Sequence, residues 1–142
     1  MDIEICTTVK GKSLKSVRPF KCCERIIKIC GTISDKPDKY SIQIFENQHI
    51  VGELGNFVNH SCHSNCYIDV DKEIWLVAKR NIRKDEELTF NYNTTEYELS
   101  CPFQCFCGGF DCKGLIKGYK YLMQQEKEYL FPWLSPYLRL NK

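Results

Sequence analysis

The sequence contains no apolar run approaching the roughly 20 residues of a membrane-spanning helix. Its start, Met1-Asp2-Ile3-Glu4, carries acids and lacks the basic stretch and apolar run of a secretion signal. Neither sign of charge dominates. Twenty Lys+Arg against eighteen Asp+Glu leave a formal +2, too little for a protein that holds nucleic acid mainly by neutralising phosphates. There is no internal repeat, low-complexity tract or long linker. These absences exclude a helical membrane span and predict an intracellular protein, cytoplasmic or nuclear. What is present is 142 residues, 43% hydrophobic and 27% charged, the size and composition of one globular domain.

Cysteine is abundant, at ten residues. Without a secretion signal the thiols are expected to stay reduced, serving as small buried hydrophobes, metal ligands or nucleophiles. Their placement is uneven. Cys6, Cys22, Cys23 and Cys30 are scattered early, Cys62 and Cys66 sit in a polar loop, and Cys101, Cys105, Cys107 and Cys112 crowd together.

Alternating and β-branched stretches predict short strands at residues 3–8, 25–33, 40–45, 49–51, 73–79 and 87–92. Only the tail reads as helix: apolar positions between Leu115 and Leu130 mostly fit a 3.6-residue period, with Gly118 weakening its start. The pattern predicts a mostly β domain with a C-terminal helix. The acids of residues 81–100 (Asp85, Glu86, Glu87, Glu96 and Glu98) form either a solvated face or a rim that attracts a basic peptide.

Three constellations can carry chemistry. Cys105-x-Cys107-x4-Cys112 puts three thiolates within eight residues, with Gly108 and Gly109 between them. A structural zinc site needs a fourth ligand, and spacing leaves Cys101, Cys62 and Cys66 open. The alternative is a loop of free thiols. The stretch from Phe57 to Cys66 (FVNHSCHSNC) is dense in short polar side chains that bond backbone, and by itself it reads as a tight loop. In Asp85–Asn93 (DEELTFNYN) a strand ends on a phenol, Tyr92, a poor base at neutral pH but a good hydrogen-bond donor.

In this order the three resemble the SET-domain family of protein-lysine methyltransferases. NFVNHSCHSN at 56–65 matches the family's RFxNHSCxPN, ELTFNY at 87–92 its ELTFDY, and CFCGGFDC at 105–112 its post-SET CxCxxxxC. The resemblance covers roughly residues 8–118. It implies a SET domain over 8–100, a post-SET zinc-binding segment over 101–118, and a helical tail over 119–142 packed on the same domain. The implied fold is a β-clip in which the NHSC and ELTFNY segments pass through one another as a pseudoknot.

The resemblance also implies roles. S-adenosylmethionine would be held by Lys12, Ser13, Leu14, Asn59, His60 and Tyr92, with Phe106 and Leu115 packing on its adenine. Zinc (Zn2+) would be held by Cys62, Cys105, Cys107 and Cys112. Tyr92 would direct its hydroxyl at the transferring methyl, Phe90 would line the lysine channel, and Tyr40 would offer a second phenol. The implied partner is a basic protein or peptide bearing the target lysine, histone-like proteins included. Three positions depart from the family. Ser13 stands where a glycine is usual, Ser64 where a proline is usual, and Asn91 where an aspartate is usual. Ser13 and Asn91 favour a rival reading, a zinc-stapled binding module without activity. A methyltransferase for a free peptide or small amine is a third.

Overall fold

The alternation at the start of the chain builds a hairpin. Strand β1 (Ile3–Thr8) pairs antiparallel with β2 (Gly11–Ser16), Ile3 opposite Ser16 and Thr8 opposite Gly11. This is a computed structural model describing residues 2–109 and 112–140. Leu14 is fully buried in β2 and joins Phe20, Ile68, Leu76 and Leu88 in the main core.

The stretch expected as one strand at 25–33 divides into β3 (Arg25–Lys28) and β4 (Gly31–Ser34). After the amide of Ile29 bonds the carbonyl of Ile74 at 2.7 Å, the chain leaves one sheet and enters another. β4, β5 (Ile42–Phe45) and β6 (Gln48–Gly52) form an antiparallel sheet of order β4-β6-β5. A short strand, β7 (Asn59–His60), follows, then β8 (Cys66–Val70) and β9 (Ile74–Ala78), which make a second sheet of order β3-β9-β8.

β10 (Thr89–Phe90) pairs in parallel with β7, Thr89 opposite Asn59 and Phe90 opposite His60. The expected crossing of the NHSC and ELTFNY segments takes this form. Asn65 braces it: its Nδ2 donates to the Glu87 carbonyl at 2.8 Å, and its Oδ1 accepts from the Thr89 amide at 2.9 Å.

The tail differs from the periodicity. Leu115–Ile116 is strand β12, paired with β11 (Phe103–Gln104), and helix α1 runs only over Gln124–Leu130. Two causes are visible. The backbone groups of residues 115–116 are committed to β11. Gly118 has φ 122°, and a Cβ there would meet the Tyr97 carbonyl oxygen at 2.7 Å, so a helix cannot run through it. A short helix α2 (Pro136–Arg139) follows. The tail packs a small core of its own (Tyr119, Leu130, Leu134, Tyr137, Leu138) and meets the body where Lys79 Nζ sits 3.9 Å above the Trp133 ring. No helix among the described residues is long and apolar enough to cross a membrane.

Candidate active site

Parallel pairing of β7 with β10 puts Asn59, His60, Phe90 and Tyr92 on the wall of one cavity of about 940 Å³. The size suits a drug-sized ligand together with a substrate side chain. Lys12 and Phe106 also line it, Phe106 being 85% exposed. Tyr40, 55% exposed, stands at the same cavity on the turn before β5. Three of the residues proposed from the sequence lie elsewhere. Ser13 and Leu14 are fully buried in β2, and Leu115, on β12, does not line the cavity.

Ser13 has a specific partner. Its hydroxyl donates to the Glu87 carboxylate, away from the cavity. The same oxygen of Glu87 accepts from Asn59 Nδ2 at 3.1 Å, and Lys10 Nζ lies 3.3 Å from the other. Asn59 Nδ2 also donates to the Lys12 carbonyl at 3.2 Å. Both amide hydrogens are thereby committed to the chain. Burial raises the Glu87 carboxyl, but bonds from Ser13 and Asn59 and the nearby Lys10 charge outweigh it and hold it below the ordinary range. Asn91 is equally accommodated: its side chain accepts from the Asn93 amide at 2.9 Å and caps the 3-10 turn Tyr92–Thr94.

The Tyr92 phenol donates to the Val58 carbonyl at 2.7 Å, and its backbone amide donates to His60 Nδ1 at 3.0 Å. That bond leaves Nδ1 of His60 as an acceptor. Burial drops the His60 ring to about 3 and pushes the Tyr92 phenol well above its ordinary value, so both are neutral at neutral pH. Phe103 completes an aromatic wall, with its ring centroid 5.5 Å from His60 and 5.8 Å from Tyr92.

The sulfurs of Cys62, Cys105, Cys107 and Cys112 all lie within 4.8 Å of one another, and Cys62 and Cys105 are 3.9 Å apart. A tetrahedron with Zn–S of about 2.3 Å needs sulfurs about 3.8 Å apart, so the four fit zinc. Cys101 is exposed and Cys66 is buried in β8, both outside the group. Gly109 packs against the His63 ring, which a Cβ there would meet at 2.0 Å. Burial pushes the Cys62 and Cys105 thiols up; backbone N–H groups of Gly109 and Cys62 overcome burial at Cys107 and bring it down to about 6. A bound cation would deprotonate all four.

The acids of residues 81–100 are mostly paired rather than forming an open rim. Asp85 meets Lys15 at 3.8 Å, Glu86 meets Arg80 at 3.1 Å, and Glu98 meets Lys120 at 3.7 Å.

Residues 5–93 match the SET domain family. The chain belongs to that family. A curated SET-domain relative from Chaetomium globosum, "Histone-lysine N-methyltransferase, H3 lysine-36 specific", is 47% identical over 138 residues, covering 80% of this chain and 15% of that protein. Proteins of the same description from Aspergillus oryzae and Schizosaccharomyces pombe are each 43% identical, over 76 and 72 residues, covering 47% of this chain and 7% and 9% of theirs. The chain thus spans no more than 15% of the length of these relatives. Among solved structures, KRYPTONITE in complex with mCHG DNA and SAH superposes with a TM-score of 0.68 at 21% identity, over 80% of this chain and 28% of that one. KRYPTONITE with mCHH DNA, an H3(1-15) peptide and SAH gives 0.68 at 20% identity, over 80% of this chain and 29% of that one. At that identity the likeness is one of fold.

The sequence did not single out Phe103, Val58 or the buried Glu96 as site residues. Glu96 stood in the sequence only as one of the acids of residues 81–100, and only the fold reveals its burial.

Proposed function

We propose that this chain is an S-adenosylmethionine-dependent N-methyltransferase acting on a lysine side chain of a basic protein, with a histone H3 tail as the leading substrate. The observation that carries this reading is the shared cavity of Asn59, His60, Phe90 and Tyr92, three of them aromatic, in a SET domain. The H3-directed relatives support the substrate class and a nuclear site of action.

The cavity fits the cofactor by its donor set. Asn56 lines it, and the Asn56 Oδ1 is buried without a hydrogen-bond partner among the described residues, an acceptor that a bound N–H would satisfy. Asn59, with both amide hydrogens held by Lys12 and Glu87, presents its oxygen in one orientation. S-adenosylmethionine supplies an electrophilic methyl on a sulfonium, so the protein's task is alignment and exclusion of water. Phe90, Tyr92 and Phe103 wall off solvent. The Tyr92 hydrogen is given to Val58, which leaves the oxygen's lone pairs free to face the amine or methyl group. Zinc would act structurally, held by Cys62, Cys105, Cys107 and Cys112, and would fix the post-SET segment against the NHSC loop.

The binding-module reading rested on Ser13 and Asn91. Both side chains are engaged within the fold away from the cavity, so neither obstructs it. The test is incubation with isotopically labelled S-adenosylmethionine and recombinant histone H3, beside a cell lysate, with labelled residues mapped by mass spectrometry. Methyl-lysine on a protein is expected. Failure of the chain to bind S-adenosylmethionine by calorimetry would return the module reading.

A further inference from the structure

Glu96 is a buried carboxyl, 6% exposed, that lines the same cavity as Phe90 and Tyr92. It follows the 3-10 turn that carries Tyr92, and its amide bonds the Tyr92 carbonyl at 2.9 Å. One of its oxygens is fully engaged: Oε2 accepts from the Gln43 amide of β5 at 2.9 Å and from Thr95 Oγ1 at 2.7 Å. The other, Oε1, has no partner among the described residues and stays open to the cavity.

Lys10, Lys12 and Lys39 line the same cavity, but none of them reaches the Glu96 carboxyl. No Lys or Arg pairs with Glu96 among the described residues, in contrast with Glu86, Glu87 and Glu98. The titratable side chains nearest it are the phenols of Tyr92, Tyr97, Tyr119 and, from α2, Tyr137; Arg139 of α2 bonds the Pro132 carbonyl instead, and His49 of β6 lies opposite Gln43 across the strand pair. A buried carboxylate without a cation is among the costliest groups in a fold, and chains seldom keep one without a use.

The missing cation is what the proposed substrate brings. Resting on the methyltransferase reading above, we propose that Glu96 receives the target lysine: its carboxylate meets the ammonium in the cavity and accepts the proton that must leave before methyl transfer. The ammonium N–H bond breaks, its proton passes to Glu96 Oε1, and the freed electron pair stays on nitrogen. Nitrogen then forms the N–C bond as the C–S bond breaks, with that bond's electrons remaining on sulfur. Glu96 returns its proton to solvent through the open cavity. Burial raises its carboxyl to about 7, near the operating pH, where a group can both take up and release a proton.

The experiment is the pH profile of kcat/KM between about 6 and 10.5, with S-adenosylmethionine and an H3 peptide, for wild type and E96Q. The glutamine can accept the same two bonds from Gln43 and Thr95, and thermal unfolding and calorimetry of S-adenosylmethionine binding check that it folds. Wild type should rise to a plateau above about pH 7 and fall only near the lysine's own value of about 10.4. E96Q should lose the limb near 7 and instead rise tenfold per pH unit toward about pH 10. Its deficit, ~10²–10³-fold at pH 7.5, should therefore close as pH rises. A deficit constant across pH, or wild-type rates at pH 7.5, would overturn the assignment. Should E96Q not fold, the wild-type profile decides, because a rise without an inflection near 7 excludes Glu96. Wild type that binds and turns over with an unchanged E96Q profile counts against Glu96 alone. Wild type inert at every pH counts against the methyltransferase reading, and Glu96 falls with it.

Discussion

The Tyr92 phenol donates to the carbonyl of Val58 at 2.7 Å, joining residues 34 apart in sequence. With the amide bond from Tyr92 to His60 Nδ1, at 3.0 Å, it holds the phenol from both ends against the NHSC segment. Tyr92→Phe keeps the ring and removes the hydroxyl. Turnover should fall by ~10²-fold or more, the scale of losing one well-placed polar group. S-adenosylmethionine affinity by calorimetry should hold, and stability should drop by about 1–2 kcal/mol for the carbonyl left unpaired. Turnover equal to wild type would remove Tyr92 from the chemistry.

One zinc per chain is expected by elemental analysis. Cys112→Ser and Cys62→Ser should lose it, with earlier thermal unfolding of the C-terminal segment, because metal binding and folding are coupled. Cys101→Ser, outside the four-sulfur group, should keep full occupancy. Zinc lost from Cys101→Ser and kept in Cys62→Ser would mean a different fourth ligand.

Phe90 is 3% exposed and lines the cavity with its ring centroid 4.8 Å from that of Tyr92. Without a hydroxyl it holds no water in the space a methylated amine needs, so the proposed methylation should proceed to di- or trimethyl-lysine. Phe90→Tyr should shift product toward monomethyl-lysine by mass spectrometry. A wild-type reaction that stops at monomethyl with excess cofactor would refute this.

Ser13 reaches the cavity only through Glu87 and Asn59. Ser13→Ala should weaken S-adenosylmethionine binding by a few-fold to about tenfold, one hydrogen bond's worth, and Asn59→Ala should weaken it further. Calorimetry reads both. Unchanged affinity in Ser13→Ala would show that Lys10 and Asn59 alone fix Glu87.

Glu96 also gives a pH signature in stability. A carboxyl raised from 4.5 to about 7 in the folded state binds its proton more tightly folded than unfolded. Its stabilising contribution is therefore complete below about 4.5 and is lost as pH rises to about 7, by roughly 3 kcal/mol. Denaturant midpoints of wild type minus E96Q across that window should show the fall. A flat difference would mean that Glu96 is not held protonated by burial.

Several features were legible in the chain itself. β1 was readable to the residue because alternation over residues 3–8 is a local property. The Cys105-Cys107-Cys112 spacing pointed to a metal site, since glycine-separated thiolates can converge locally, but left the fourth ligand open. The order of NHSC, ELTFNY and the cysteine run marked the family. Tertiary structure decided the rest. β8 (Cys66–Val70) follows a polar loop, and its pairing with β9 comes from a neighbour, not from its own pattern. Leu115 and Ile116 fit a helical period but became strand because β11 offered their backbone groups partners and Gly118 barred a helix. Cys62 joined the cluster, and Cys101 did not, through a contact spanning 43 residues. Ser13 read as a cofactor-binding residue and a departure from the family; only the fold turns its hydroxyl to Glu87, 74 residues away. Glu96 is an ordinary acid in the sequence. Only the closing of β5, α2 and the Tyr92 turn around it shields it from bulk water without a cationic partner among the described residues, which turns a surface residue type into a buried acceptor facing the cavity.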